Sequence, residues 1–423
     1  MISPFVFNFQ NGSGVTFSNL FKTWPAECLA NLHSSPQEPD HSICKNFYRF
    51  TNEDIHRPWP FRSSNGASSL GAGASESIGD LNWSFWRKYI VGNSGLPQKF
   101  EPSRDLLDWL DSFRPELIYT ILGAIPHMEA IAFIQKRYGC KLVVHFMDDW
   151  YHQAYTTGIF RFQRRKMLRL FHQIIDQASA HLAIGDEMAR VFSERYKKPM
   201  RAFQNAISVQ NFRSEILAAQ GDLNKSKHAQ SLLYFGSVYD FAQVETLRLI
   251  ATAVEKLKGK TVLSHKLRIV TSEECMNLCR SNFSEFSMVE LGPILKDNGQ
   301  FARELAQAAV LVLPANFNTY SEEFLRYSMP TKLPGYMASG VPIFVCAPKS
   351  IAQVKYAQAN GWGYCVTVPQ VEPISAAIQE LLFNIPLRKE LTEKALKIVE
   401  KNHEIEVVRS EFQGILTNVC VNR

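Results

Sequence analysis

The sequence predicts two α/β domains in one chain, each a doubly wound parallel sheet. Three observations predict it: short apolar runs rich in β-formers, helical stretches that separate them, and glycine turns where a strand passes into a helix. The 423 residues, 46% hydrophobic and 20% charged, have the composition of a globular protein. Forty-six basic against 40 acidic side chains leave a formal charge of +6. That excess is too thinly spread for a dedicated nucleic-acid binder.

The elements follow in order. Pro4–Phe9 (PFVFNF) reads as the first strand, Asn11–Gly14 as a glycine turn, and VTFSNLFKTW as a helix opening near Thr16 or Ser18. Leu117–Ile121, Lys141–Phe146 and His181–Ile184 are the next strand candidates, with helical segments between them. Arg62–Gly79 is rich in Ser, Gly and Ala with almost nothing to bury, which predicts a loop. The polar stretch Ser214–Gln230 reads as a linker. Beyond it, LLYF runs into Gly236-Ser237, and Val244, Leu247, Ala251 and Val254 recur at helical spacing. Strands at Leu267–Val270, Ser287–Leu291, Val310–Leu313, Pro342–Cys346 and Gly363–Val366 complete a second domain, and the chain is helical from Ile374. The expected division is 1–207, 208–400 and a helical tail 401–423, with a ligand cleft between the two domains at the carboxyl ends of the strands.

No run of about 18 apolar residues occurs; Leu117–Ile134 is broken by Pro126, His127 and Glu129. The opening MISPFVFNFQNGSG has no basic n-region or cleavage site, so no signal peptide is expected. The 8 cysteines are scattered without a His or Cys cluster. They read as free thiols of a reducing compartment, and no metal site is expected.

The segment SEEFLRYSMPTKLPGYMASGVPIFV is the richest in chemistry. Ser328 and Thr331 suit a helix N-cap, Pro330 or Pro334 a first helical turn, Gly340 the helix stop and Pro342 the next strand. Free N–H groups at that helix start, with Lys332 beside them, suit a phosphate or diphosphate; a simple helix start with a solvated lysine is the competing reading. VVHFMDDW puts His145, Asp148 and Asp149 at a strand end, where one aspartate either orients a ligand or caps a helix. His127 lies after another strand, and Gly12 and Gly14 permit close backbone approach. Arg161, Arg164, Arg165, Lys166 and Arg169 face away from an apolar stripe at Met167, Phe171, Ile174 and Ala178. This is a solvated face or an attraction to an anionic leaflet. Phe17, Leu20, Phe21 and Trp24 are either core or an apolar rim.

SMPTKLPGYMASGVPI resembles the S-x-P-x-K-x-x-E-Y-x-A-x-G-x-P segment of family 4 glycosyltransferases, which have the GT-B fold. LLYFGSVY and VELGPI…LAQAAVLVLP are similar to two further segments of that family's donor domain. NGSGVTFSNLFKTW, VVHFMDDW and LAIGDEMARVFSERY resemble acceptor-side segments of a bacterial polysaccharide subgroup. The resemblance implies two Rossmann-like domains, a nucleoside-diphosphate sugar as donor, a glycan or lipid-linked acceptor, and retaining transfer without metal or other cofactor. Composition and scattered cysteines set the expectation of a cytoplasmic protein, and the basic run, where it meets anionic lipid, that of peripheral contact with the inner membrane face. The resemblance places donor contacts at Gly236, Ser237, Arg326, Ser328, Thr331 and Lys332, with catalysis near His145, Asp148 and Asp149. The family's two glutamates fall here on Tyr327 and Gly335, and the turn GSVYDFAQ carries no cation. Glu322 and Glu323, a few residues upstream, are the candidate substitutes for those glutamates in donor binding. The alternative is a catalytically decayed protein that serves as a binding partner in a glycan-assembly complex.

Overall fold

The structure is a computed structural model, which describes residues 1–8, 12–57, 92–223, 231–258, 266–295, 297 and 299–421. The expected Arg62–Gly79 loop lies outside the described residues. The chain forms two compact units: Met1–Phe203 with Arg409–Arg423, and Gln204–Val408.

In the first unit the strands are β1 (Ile2–Ser3), β2 (Ala30–His33), β3 (Asn46–Arg49), β4 (Ile55–His56), β5 (Lys99–Phe100), β6 (Leu117–Thr120), β7 (Lys141–Phe146), β8 (Ala180–Ala183) and β9 (Met200–Ala202). Seven of them form one sheet in the order β3-β2-β1-β6-β7-β8-β9, parallel throughout, while β4 and β5 make a small antiparallel pair. In β7 every residue after Lys141 is buried, as a parallel strand covered by helices on both faces requires. The first strand lies ahead of the expected Pro4–Phe9 run, at Ile2–Ser3. Ser3 Oγ accepts from Phe5 N and turns the chain, so Val6 and Phe7 are buried from a loop. The following helix opens at Gly12, ahead of Thr16. Its Phe17, Leu20 and Phe21 are core residues, which excludes them from an apolar rim. Phe21 and Tyr119 both meet the ring of Phe412, and Arg409 Nε donates to Asn19 O at 2.9 Å. The last helix is thereby fixed on this unit's core.

The second unit contains β10 (Ser231–Phe235), β11 (Leu267–Thr271), β12 (Val289–Pro293), β13 (Ala308–Pro314), β14 (Ile343–Cys346) and β15 (Gly363–Val366). They are all parallel, in the order β12-β11-β10-β13-β14-β15. This is the Rossmann order 3-2-1-4-5-6. Strand alternation divides the core. Leu232, Tyr234, Val310 and Val312 pack toward the helices Glu245–Leu257 and Val371–Phe383. Leu233, Leu311 and Leu313 pack toward Val209–Leu223, Gln300–Gln307 and Leu333–Ala338. The linker expected from Ser214 is, through Leu223, part of a helix that buries Val209 and Ile216. Its polar character belongs to a one-sided helix.

Candidate functional site

A doubly wound sheet binds ligands beyond the strand carboxyl ends where the strand order reverses. In the second unit that point lies between β10 and β13. β10 ends at Phe235, and Gly236 follows with φ +138°, a conformation open to glycine. Lys332 reaches this turn from the start of the six-residue helix Leu333–Ala338. Its Nζ lies 3.8 Å from the centroid of the Tyr234 ring, a cation–π contact. A Cβ on Gly236 would sit 2.7 Å from that nitrogen. Among the described residues the ammonium has no hydrogen-bond or ion-pair partner, and burial pushes its pKa down to about 7. Tyr234 is held beneath it by donating to Ser237 O at 2.6 Å.

The turn that follows is anchored from β13. Asn316, fully buried, donates through its backbone to Ala242 O and through Nδ2 to Asp240 O, and accepts from Thr246 N. Asn318 caps the helix Thr319–Leu325, its Oδ1 accepting from Ser321 N.

The other donor-side candidates divide. Ser328 and Thr331 do not cap the short helix: Lys332 occupies the cap position and no side chain caps it. Leu333 N donates to Pro330 O, and Pro334 has no N–H. The first turn therefore offers few donors, and the cation is the stronger anion-holding element. Thr331 O accepts from Asn205 Nδ2. Glu322 accepts from Ser350 Oγ at 2.5 Å and lies 4.0 Å from Arg326, while Glu323 is exposed. At Gly335 an added Cβ would lie 2.5 Å from Phe301 Cε1. The Phe301 ring, held between Phe235 and Phe212, fills the place a side chain at 335 would take.

In the first unit the order reverses between β1 and β6. His127, in the helix Ile125–Tyr138, pairs Nε2 with Ser34 Oγ at 3.1 Å, beyond the end of β2. Both residues are buried, and burial lowers the imidazole pKa to about 4, keeping it neutral. Its Nδ1 has no partner among the described residues. Gly14 makes room for a side chain of the protein itself, since a Cβ there would lie 2.3 Å from Asn8 Oδ1. Gly12 is the first residue of its helix. His145 is fully buried within β7 and its Nδ1 meets Tyr119 OH at 2.7 Å. It is a neutral interior group, its pKa lowered to about 4 by burial. Asp149 is 5% exposed and pairs with Arg195 at 2.8 Å, while Asp148 is half-buried. Asp149 makes no side-chain cap bond to the helix Trp150–Gln153 that follows it.

No family model matches the chain, and no curated protein matches it in sequence. Solved structures do match in shape. Anabaena HepE in complex with UDP-glucose superposes with a TM-score of 0.65 at 10% identity, covering 98% of each chain. Sucrose-phosphate synthase from Thermosynechococcus elongatus gives 0.64 at 14% identity, over 97% of this chain and 94% of that one. A glycosyltransferase from Rickettsia africae gives 0.61 at 10%, over 98% and 97%. The fold is GT-B.

On this GT-B frame Gly236 and Lys332, both singled out from sequence motifs, lie side by side. The motifs missed Ser34, Tyr119 and Arg195, which contact His127, His145 and Asp149 in the first unit, and Asn316 and Phe301, which brace the turn after β10 and pack at Gly335 in the second. Asn316, two residues past the end of β13, had a local signal: a lone amide after a seven-residue apolar strand. Among the described residues no three His, Cys, Asp or Glu side chains converge as metal ligands.

Proposed function

We propose that the chain is a glycosyltransferase that moves a sugar from a nucleoside-diphosphate donor to a glycan or lipid-linked acceptor in surface polysaccharide synthesis. The observation that carries this reading is the unpartnered, desolvated ammonium of Lys332 at the carboxyl end of β10, in a chain with the GT-B fold. A diphosphate supplies the charge that this cation lacks, through charge-assisted hydrogen bonds that are strong where water is excluded. Gly236 lets the phosphates approach the backbone. Transfer would retain configuration: the leaving phosphate takes the acceptor proton on the face where the new bond forms, and a carboxylate such as Asp148 stabilises positive charge at the sugar. No metal is required in this scheme.

The test is a thermal-shift scan with UDP, GDP, ADP, CMP and their sugars, with and without EDTA. A ligand at about 100 times its Kd adds roughly 2.7 kcal/mol. A shift with one diphosphate, unchanged by EDTA and absent in Lys332→Ala, supports the reading; no shift with any nucleotide overturns it. The second reading, a decayed binding partner, is favoured by Gly335 and Tyr327 where the resembling family has glutamates. Donor binding without hydrolysis or transfer would select it.

A lipid-linked acceptor brings such an enzyme to the cytoplasmic face of an anionic membrane. Among the described residues no helix is long and apolar enough to cross one, so the contact in this reading is peripheral.

A further inference from the structure

We propose that Gly158–Arg169 is a membrane-docking knuckle, in which Ile159 and Phe162 enter an anionic lipid leaflet while Arg161, Arg165 and Arg169 hold its headgroups. The inference rests on the lipid-linked acceptor reading and gives it a surface.

The apolar part is exposed. Ile159 and Phe162 are 61% and 65% exposed, whereas Phe160 between them is buried at 6%. The segment winds in three-residue turns: Arg161 N donates to Gly158 O, Gln163 N to Phe160 O and Arg164 N to Arg161 O. Side chains three apart share a side in such turns; accordingly Phe160 and Gln163 are both buried, and Ile159 and Phe162 both exposed. The helix Gln163–Gln177 continues from there, and its spacing puts Arg165 and Arg169 on the side that Phe162 begins.

The knuckle is braced. Asn93 Nδ2 donates to Gln153 O and Thr156 Oγ1, its Oδ1 accepts from Thr156 N and Thr157 N, and Ser94 Oγ donates to Thr157 O. Arg164, expected on a solvated basic face, turns inward and donates to the carbonyls of Tyr151, His152 and Ala154. Holding two apolar side chains out in water on a rigid support is costly unless something covers them.

Charge selects the occupant. Between Asp149 and Asp176 the chain has five Arg or Lys residues and no acidic one. Lys166 is engaged with Glu129 at 2.5 Å and Arg164 with carbonyls, but the guanidinium groups of Arg161, Arg165 and Arg169 have no partner among the described residues. Apolar side chains flanked by free cations are the composition of an interfacial anchor, and arginine stems lie along an apolar boundary while their heads stay wet. The knuckle follows β7, on the carboxyl side of its sheet, where a doubly wound domain meets its ligand.

The experiment is co-sedimentation of the full chain with vesicles of phosphatidylcholine alone or with 30% phosphatidylglycerol. Binding to the anionic vesicles only, weakened by salt, is expected. The variant Ile159→Ser with Phe162→Ser should weaken it at least tenfold, as should the triple variant Arg161→Ser, Arg165→Ser, Arg169→Ser, at about fivefold per arginine. Both variants should keep the wild-type far-UV circular dichroism and thermal midpoint. Equal binding to both vesicles, no binding to either, or binding that survives both folded variants overturns the proposal. So does a dimer in sedimentation velocity that Phe162→Ser dissolves, because a second copy would then be the occupant. Nucleotide thermal shifts, measured without vesicles, separate this failure from failure of the donor reading.

Discussion

The ammonium of Lys332 occupies the space that a side chain on Gly236 would need. The Nζ lies 2.7 Å from the position of a Cβ there, in a turn with φ +138°. Two residues 96 positions apart in number (332 − 236) are thus coupled through one small volume. Gly236→Ala should lose about 1–3 kcal/mol of stability from backbone strain. It should also displace the cation and abolish the nucleotide-diphosphate shift. Adding Lys332→Ala to it removes the clash and leaves the strain. The double variant should therefore be less destabilised than the sum of the singles, as measured by urea unfolding.

Lys332→Met separates a binding role from a structural one. The lysine is a desolvated cation without an ionic partner, so the apolar replacement should leave the ligand-free midpoint unchanged or raised. The loss of one or more charge-assisted hydrogen bonds should weaken diphosphate binding by roughly tenfold to a hundredfold in calorimetry. A large drop in the ligand-free midpoint would show that the cation–π contact with Tyr234 is needed for folding.

The same lysine makes stability and affinity depend on pH in opposite directions. Its pKa falls from 10.5 in the unfolded chain to about 7 in the fold. Between those values the unfolded state binds more protons, so this group's contribution to stability rises as pH increases from 7 toward 10.5. A bound diphosphate favours the protonated lysine. Affinity should be level below pH 7 and fall above it, by up to about tenfold per unit. Midpoints and UDP dissociation constants across pH 6–10, each compared with Lys332→Met, isolate the contribution.

The interior strands were legible in the sequence because burial on both faces forces continuous apolar runs. KLVVHF coincides with β7, and AAVLVLP, strand β13, contains the predicted Val310–Leu313. The edge strand β3 (NFYR) and its neighbour β2 (ANLH) were not, since they have few β-branched residues and their polarity resembles a loop. Gly236 and Lys332 were legible from local motifs: a glycine ending a strand and a lysine at a helix start. Ser34 with His127, and Asp149 with Arg195, are joined across 93 and 46 positions. No local pattern records such a contact. His145 illustrates the same limit: the sequence put it at a strand end, and only the sheet's covering helices show that it is interior.

At Gly335 the structure predicts a steric coupling with Phe301. A Cβ would lie 2.5 Å from Cε1 and 3.0 Å from Cζ of that ring, which also stacks on Tyr336. Gly335→Glu should cost about 1–3 kcal/mol by overpacking, offset in part by better helix propensity. Phe301→Ala should recover most of that cost in the double variant. If the second reading is right and the missing carboxylate is what weakened the site, the double variant should also bind the donor more tightly than wild type. Unfolding free energies of the four proteins and their UDP affinities decide both points.

Asp149, assigned to catalysis from its place after β7, is a buried partner of Arg195 whose guanidinium also lies over Phe192. Removing Arg195 leaves the buried Asp149 charge desolvated, at a cost of about 3–5 kcal/mol, whereas Arg195 is 31% exposed and tolerates loss of Asp149 better. For a unit of this size 3 kcal/mol corresponds to roughly 6–12 °C in Tm. Arg195→Ala should therefore lower the midpoint more than Asp149→Ala, and the double variant should fall by less than the sum of the two, because both singles break the same pair. Asp148→Asn should leave the midpoint near wild type. If Asp149→Asn keeps the wild-type midpoint yet abolishes transfer, the carboxylate acts on the acceptor and the pairing with Arg195 serves to position it. If activity and midpoint fall together in every Asp149 variant and Asp148→Asn alone loses transfer at full stability, the catalytic carboxylate is Asp148.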